Sequence, residues 1–221
     1  MIDGSPIIER FAASDVTPPR AEVLRLLGVR RGAEPRRSVQ AMLDEELRAA
    51  PSSLKARVVM RGSETGIAGA RGVEATSPEV AAVCTIGSEL EERAASLLDR
   101  GQSARAVVVD AVASAAVESL AEVCDQRICR WAHETGRTTG RRRSPGYGAW
   151  SLEDQRAIFD FLEPNVVGVT LTERFMMVPR KTISFAVLID EGGERDDDRC
   201  RHCDLKGCLY RAEQGDARRH A

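Results

Sequence analysis

Apolar positions along this chain repeat with two periods, and the longer one dominates the middle. From Ser103 to about His133 or Glu134, Val109, Val112, Ala113, Ala116, Val117, Leu120, Val123, Cys124, Ile128 and Trp131 share one face of a helix with ~3.6 residues per turn. This is the longest element that the pattern predicts. Its opposite face carries Ala111, Ser114, Ala115 and Ala121, with Glu118 among them. Side chains this small let a sheet or a ligand come close to the helix. Glu118 is then either a lone carboxylate in a small-residue surface or an ordinary solvated glutamate.

Shorter helices flank it. Pro19 starts one with Val23, Leu24, Leu26 and Leu27, stopped by Gly28. Ser38 caps another with Met42, Leu43 and Leu47, ending near Pro51. Gly87 or Ser88 opens a third through Leu90, Ala94, Leu97 and Leu98, stopped at Gly101. Ser151, with Asp154 at the capping-box position, opens a fourth that buries Ile158, Phe159, Phe161 and Leu162, with Pro164 past its end. Val58-Val59-Met60 and residues 80–86, 166–171 and 182–189 read as strands, the last most clearly by alternation. Residues 62–78 and 135–143 read as loops, with a candidate strand at 72–75. Ile7, Ile8 and Phe11 form an apolar patch. Phe175 to Pro179 is an apolar segment ending in a turn.

The long helices sit in the middle and the strands gather toward one end. There is no internal repeat and no alternation of strands with Gly-rich phosphate loops. The pattern predicts an α+β fold, with long central helices packed on a twisted, mostly antiparallel sheet, rather than a doubly wound one. Residues 1–195 read as one domain and residues 196–221 as a Cys-rich C-terminal tail.

Composition narrows the picture. Aromatics are 4% of the 221 residues, so the core must be built from Ala, Val, Leu and Ile. With 32 basic and 34 acidic residues the net charge is −2, which gives no reason to expect nucleic acid or an anionic membrane as partner. The start lacks a signal-peptide pattern, and no apolar run approaches the ~20 residues of a membrane span. A cytoplasmic location is expected, where the six cysteines stay reduced or bind metal.

Two stretches are candidates for chemistry. The first is Arg142-Arg143-Ser144-Pro145-Gly146-Tyr147-Gly148-Ala149-Trp150, where a basic cluster, a Pro-Gly break and two of the four Tyr and Trp residues coincide. Arg142 offers a planar fork of donors for a carboxylate or phosphate. Gly146 and Gly148 permit close approach to the main chain. Tyr147 offers an apolar face with a polar tip. The stretch is either a grip for a small anionic ligand with a flat part or an Arg-rich surface turn. The second is Cys200-x2-Cys203-x4-Cys208, a spacing suited to zinc or an iron–sulfur cluster once a fourth ligand is found. His220, Cys84 or a partner's side chain are the candidates for it, and three reduced cysteines are the alternative. Cys124 and Cys129 lie about 140° apart round a helix and read as core or flank. His133 reads as a polar helix end. No Ser/His/Asp arrangement, Walker loop or G-x-G-x-x-G signature is present.

The ordered motifs resemble a known family. Arg142-x-Ser144-Pro145-Gly146-Tyr147, the helix of residues 151–162, Gly168-Val169-Thr170-Leu171-Thr172-Glu173, Met177-x-Pro179 and Thr182-Ile183-Ser184 are similar to the reactivation domain of cobalamin-dependent methionine synthase. Thr85-Ile86-Gly87 and the helix of residues 110–130 are similar to its preceding part. The likeness runs from about residue 80 to 189, about half of the chain. It implies S-adenosylmethionine binding, with Glu118, Arg142, Ser144, Gly146 and Tyr147 as contacts. Arg142 would pair with the methionine carboxylate, Ser144 and Gly146 would offer main-chain contacts, and Tyr147 would pack on the ligand.

The implied partners are a corrinoid (cobalamin)-binding methyltransferase, methionine synthase above all, met in trans, and an electron donor. The implied role is methyltransferase-associated: reductive methylation of Co(II) cobalamin carried by the partner. The chain departs from the family in lacking paired tyrosines after the last strand, where a charged run stands, and in adding the cysteine tail. The alternative is therefore a non-catalytic docking module for a corrinoid protein, with a structural zinc or iron–sulfur centre on Cys200, Cys203 and Cys208.

Overall fold

In chain order the elements are β1 (Ile7–Arg10), α1 (Arg20–Leu26), α2 (Arg37–Ala49), β2 (Arg57–Ser63), β3 (Glu79–Thr85), α3 (Glu89–Asp99), α4 (Ser103–Glu134), β4 (Thr139–Arg143), α5 (Gln155–Leu162), β5 (Thr170–Leu171), β6 (Met177–Val178) and β7 (Thr182–Ile189). They are seen in a computed structural model that describes residues 4–30, 32–67, 77–148 and 150–189. Five strands form one sheet in the order β1-β2-β3-β7-β4, with every neighbouring pair antiparallel. The α+β architecture expected from the sequence is the one found.

Both faces of the sheet are covered, which explains the central strands. Every residue of β3 is buried. A strand covered on both sides has no polar face to alternate, so Val80-Ala81-Ala82-Val83 reads as a continuous small apolar run. On one face Val58, Met60, Val80, Ala82, Cys84, Phe185 and Val187 pack against Val109, Ala113, Ala116, Leu120, Cys124 and Ile128 of α4. On the other, Val59, Ala81, Val83, Ala186 and Leu188 pack against Trp150, Ile158, Leu162, Val167 and Val169. A third cluster joins Val23 of α1 and Leu43 of α2 to Val108, Ala111, Val112 and Ala115 of α4.

That third cluster corrects one expectation. Ala111 and Ala115 do not form an open small-residue face, because α1 and α2 cover them. Ala121 belongs to the core under the sheet. Only Ser114 and Glu118 of that set stay partly exposed.

Other boundaries differ for local reasons. The patch at Ile7 and Ile8 is an edge strand, in register with Met60 and Val59. α2 starts at Arg37 with no side-chain cap, so Ser38 lies inside it. β2 continues through Ser63 into a segment that reads as loop. Residues 166–171 do not form one strand. Pro164 starts a short 3-10 turn, and Gly168, at φ 78°, breaks the backbone before the two-residue β5. A Cβ at Gly168 would also meet the Arg57 guanidinium at 3.5 Å. Residues 139–143 are a strand although Thr-Gly-Arg-Arg-Arg contains no apolar side chain. The antiparallel edge of β7 supplies the hydrogen bonds that hold it. The candidate strand at 72–75 and the cysteine tail lie outside the described residues.

Candidate functional site

β4 carries consecutive arginines, and side chains of a strand alternate between faces. Arg142 is opposite Val187, and Arg143 is opposite Ala186. Val187 belongs to the α4 core and Ala186 to the α5 core. Arg142 therefore turns toward α4. Its guanidinium lies over the Phe185 ring, 5.3 Å from the centroid. Its Nη2 donates to Glu118 Oε2 at 2.8 Å. The Arg142 side chain is 6% exposed and that of Glu118 is 40% exposed. The pair thus sits at the rim, with the cation inside and the carboxylate reaching water.

Arg142 is held without being fully used. Its Nη1 is buried and has no hydrogen-bond partner among the described residues. A guanidinium carries five N–H donors in a rigid fork, so one edge of this fork remains unspent. Burial works against the charge, but Glu118 outweighs it, followed by Asp125 and Glu122, and the guanidinium is held above its usual range. Glu118, Glu122 and Asp125 lie at i, i+4 and i+7 of α4 and so share a face. Arg142 stays charged at any ordinary pH.

The turn after β4 is anchored at both ends. Pro145 and Trp150 are buried. Between them Tyr147 N–H donates to the Ser144 carbonyl at 3.3 Å, Gly146 N–H to the Trp150 carbonyl at 2.9 Å, and Trp150 N–H to the Tyr147 carbonyl at 3.2 Å. Gly146 has φ 87°, and a Cβ there would stand 3.3 Å from Leu152 Cδ1. Glycine meets both demands. Tyr147 is 58% exposed, so the turn presents an aromatic face to solvent.

The structure thus joins Arg142 to Glu118 and places Ser144, Gly146 and Tyr147 in the turn that follows. Sequence reasoning missed three contributors: Phe185, the platform under Arg142, and the acidic neighbours Glu122 and Asp125. The i, i+4, i+7 spacing of the acids was the available signal. Nothing in the sequence marks Phe185, which meets Arg142 only through sheet pairing. Lys181 is a further one. Its Nζ binds Asp110 at 2.7 Å and Ser114 Oγ at 2.9 Å, two and one helical turns before Glu118.

Cys84 does not fit a fourth-ligand role. It is fully buried in the core beside Cys124, and burial together with that neighbour pushes its thiol well above the usual range. Among the described residues no group of three or more His, Cys, Asp or Glu side chains is arranged to hold a metal ion. Cys200, Cys203, Cys208 and His220 lie outside the described residues. His133 is exposed near the end of α4, as expected of a polar helix end. No described helix is long and apolar enough to cross a membrane.

Comparison with known proteins supports both a fold and a family. A crystal structure of the MetH reactivation domain bound to AdoHcy shares the fold, with a TM-score of 0.69 over 86% of this chain and 80% of that chain, at 16% identity. No curated protein sequence matches. The family model of the vitamin B12 dependent methionine synthase activation domain matches residues 74–192, which is more than half of the chain and includes β3, α4, the Arg142 turn and β7. The chain therefore belongs to the activation domain family of vitamin B12 dependent methionine synthase.

Proposed function

We propose that this protein binds S-adenosylmethionine at the Arg142–Glu118 site and serves as a reactivation partner of a cobalamin-dependent methyltransferase. Family membership supports the role, and the solved relative of the same fold was crystallised with AdoHcy. The observation that carries the site is the buried Arg142 guanidinium with one nitrogen unspent. Its free edge suits the ligand carboxylate, and a charge-assisted bond is the strong kind. Glu118, half in water, takes the ligand ammonium. Ser144 and Gly146 offer main-chain groups, and Tyr147 packs its ring on the flat base.

When bound, S-adenosylmethionine supplies a methyl group activated by its sulfonium, which, with one electron from a donor, re-forms the methyl–cobalt bond of a Co(II) cobalamin held by the partner and leaves S-adenosylhomocysteine. This chain's residues hold and orient the ligand. The anchored turn and the Phe185 platform fix the guanidinium beforehand, so little is spent on ordering it.

Calorimetric titration with S-adenosylmethionine tests the site. Wild type binds, and Arg142→Met loses a charge-assisted contact of about 1.5–3 kcal/mol. No heat with wild type at about millimolar ligand, a weak limit of affinity, would sink the site. A reactivation assay with a Co(II) corrinoid protein and a reductant tests the role. A cobalt spectrum that stays unchanged on adding the protein and S-adenosylmethionine counts against it.

A further inference from the structure

Arg142 has no open approach from solvent in this structure. Its side chain is 6% exposed, and the nitrogen without a partner, Nη1, is one of its buried atoms. The other terminal nitrogen, Nη2, is taken by Glu118 Oε2 at 2.8 Å. Glu118 is the member of the pair that reaches water. A molecule arriving from solvent therefore meets the Glu118 carboxylate before it meets the guanidinium. The fold itself supplies the anion that a ligand carboxylate has to replace.

The hold of Glu118 is incomplete. A carboxylate lying in the plane of a guanidinium fork accepts from two nitrogens at once. Glu118 accepts from one, because its carboxylate is tethered to α4 while the guanidinium is held by β4 and by the Phe185 ring, 5.3 Å away. A free carboxylate has no tether and can accept from both. Glu118 also leaves at low cost, since a half-exposed carboxylate regains hydrogen bonds from water as it moves out. The guanidinium keeps its place meanwhile. Phe185 stays beneath it, and Asp125 and Glu122 of α4 also favour its charge.

The exchange carries a condition. The incoming anion and the displaced Glu118 would share one cation, and like charges repel. Arg142 is the one ion-pair partner of Glu118 among the described residues. Lys181, which meets the same stripe of α4 further back, is held by Asp110 and Ser114. The protein thus offers the displaced carboxylate no second cation among its described ion pairs. A ligand with an ammonium beside its carboxylate brings that cation with it.

We propose that Glu118 is the specificity-determining residue of the site: an internal plug on Arg142 that yields to an α-amino acid end and excludes carboxylates without an ammonium. The ligand's identity rests on the S-adenosylmethionine reading, whereas the plug rests on the Arg142–Glu118 geometry. The sign of one effect separates a plug from a plain contact. A residue that only touched the ligand would, on removal, weaken every ligand or leave it unchanged. Removal of a plug strengthens the ligands that it shut out.

Calorimetry on the full chain with S-adenosylmethionine and with its deaminated analogue tests the proposal. Wild type should bind the analogue about 100-fold more weakly than S-adenosylmethionine, the loss of one charge-assisted contact. Glu118→Ala should bind S-adenosylmethionine more weakly than wild type, by about tenfold or under, and the analogue about tenfold more tightly, so that the preference disappears. Analogue binding that is unchanged or weaker in folded Glu118→Ala overturns the proposal. A second arm needs no S-adenosylmethionine. Acetate is titrated while the Arg142 Nε–H signal is followed by nuclear magnetic resonance, the signal being assigned by its absence in Arg142→Lys. Acetate should move that signal in Glu118→Ala and leave it in place in wild type. The same response in both proteins, or none in either, counts against the plug. If wild type binds no S-adenosylmethionine, the function reading fails and the acetate arm alone decides. If Glu118→Ala does not fold, Glu118→Gln takes its place, with the same signs expected and the same outcomes fatal.

Discussion

Arg142 and Arg143 stand side by side on β4 and turn to opposite faces of the sheet, where carboxylates lie in different settings. Arg142 is buried, and its partner Glu118 is 40% exposed. Arg143 is partly buried on the opposite face of the sheet, where the Glu79 carboxyl is sealed inside. In the first pair the carboxylate stays in contact with water, while the unpartnered guanidinium nitrogen is buried behind it. Glu79 has no opening to solvent and lies on the face packed by the apolar α5 core. The same residue type one position apart thus enters different surroundings, according to whether the acid on its face keeps its access to water. Desolvation decides this, because a charge that stays half hydrated can change partners at low cost and a buried one cannot.

The largest test of this contrast is whether both faces belong to one cooperative unit. Leu120→Ala under α4 and Leu162→Ala under α5 remove fully buried side chains from the two cores. Each should cost about 2–5 kcal/mol in urea unfolding. Both variants should keep one transition that coincides by fluorescence and circular dichroism. Two separated transitions would mean that the faces fold independently and that β4 couples nothing.

Next comes the loss of ligand binding. Arg142→Met should weaken S-adenosylmethionine binding about 10- to 100-fold, and Glu118→Gln should weaken it less, by about tenfold or under, because its carboxylate is already half solvated. Equal effects would show that the exposed member is no weaker a contact than the buried one.

A smaller effect follows from titration. Burial raises the Glu79 carboxyl, so lowering the pH from neutral toward the ordinary carboxylate range should stabilise wild type relative to Glu79→Gln. Paired urea curves at the two pH values measure it, and a shift of opposite sign would remove the buried-anion cost from the comparison.

The smallest effect is chemical. Cys129 is partly exposed near the end of α4, with Sγ 3.1 Å from Thr139 Oγ1, whereas Cys84 and Cys124 are sealed in the core. Alkylation of native protein, mapped by peptide mass spectrometry, should label Cys129 and spare the other two until unfolding. Early labelling of Cys84 would show that the core behind Arg142 opens.

Much of this was legible in the chain. The 3.6-residue repeat marks α4 nearly to the residue, because a helix of 32 residues buried against a sheet must show its period. β7 is visible for a similar reason. The ordered motifs identify the family, and Arg142 and Glu118 emerge from the same motifs. β4 was not legible, since an edge strand borrows its hydrogen bonds from a neighbour 40 or more positions away and needs no apolar side chain of its own. Nor could the open small-residue face of α4 be judged, because α1 and α2 come from a separate part of the chain to cover it.

By itself, then, the sequence determined the elements whose signal is local: helix periods, turn residues such as Gly146 and Pro145, and the order of family motifs. These depend on neighbours within one or two turns. Only the tertiary structure decided that Arg142 meets Glu118 over Phe185, that Arg143 is opposite Ala186 on the other face of the sheet, and that Cys84 is core. Those outcomes depend on sheet register and on which charges lose water, and both are set by contacts between segments far apart in the chain.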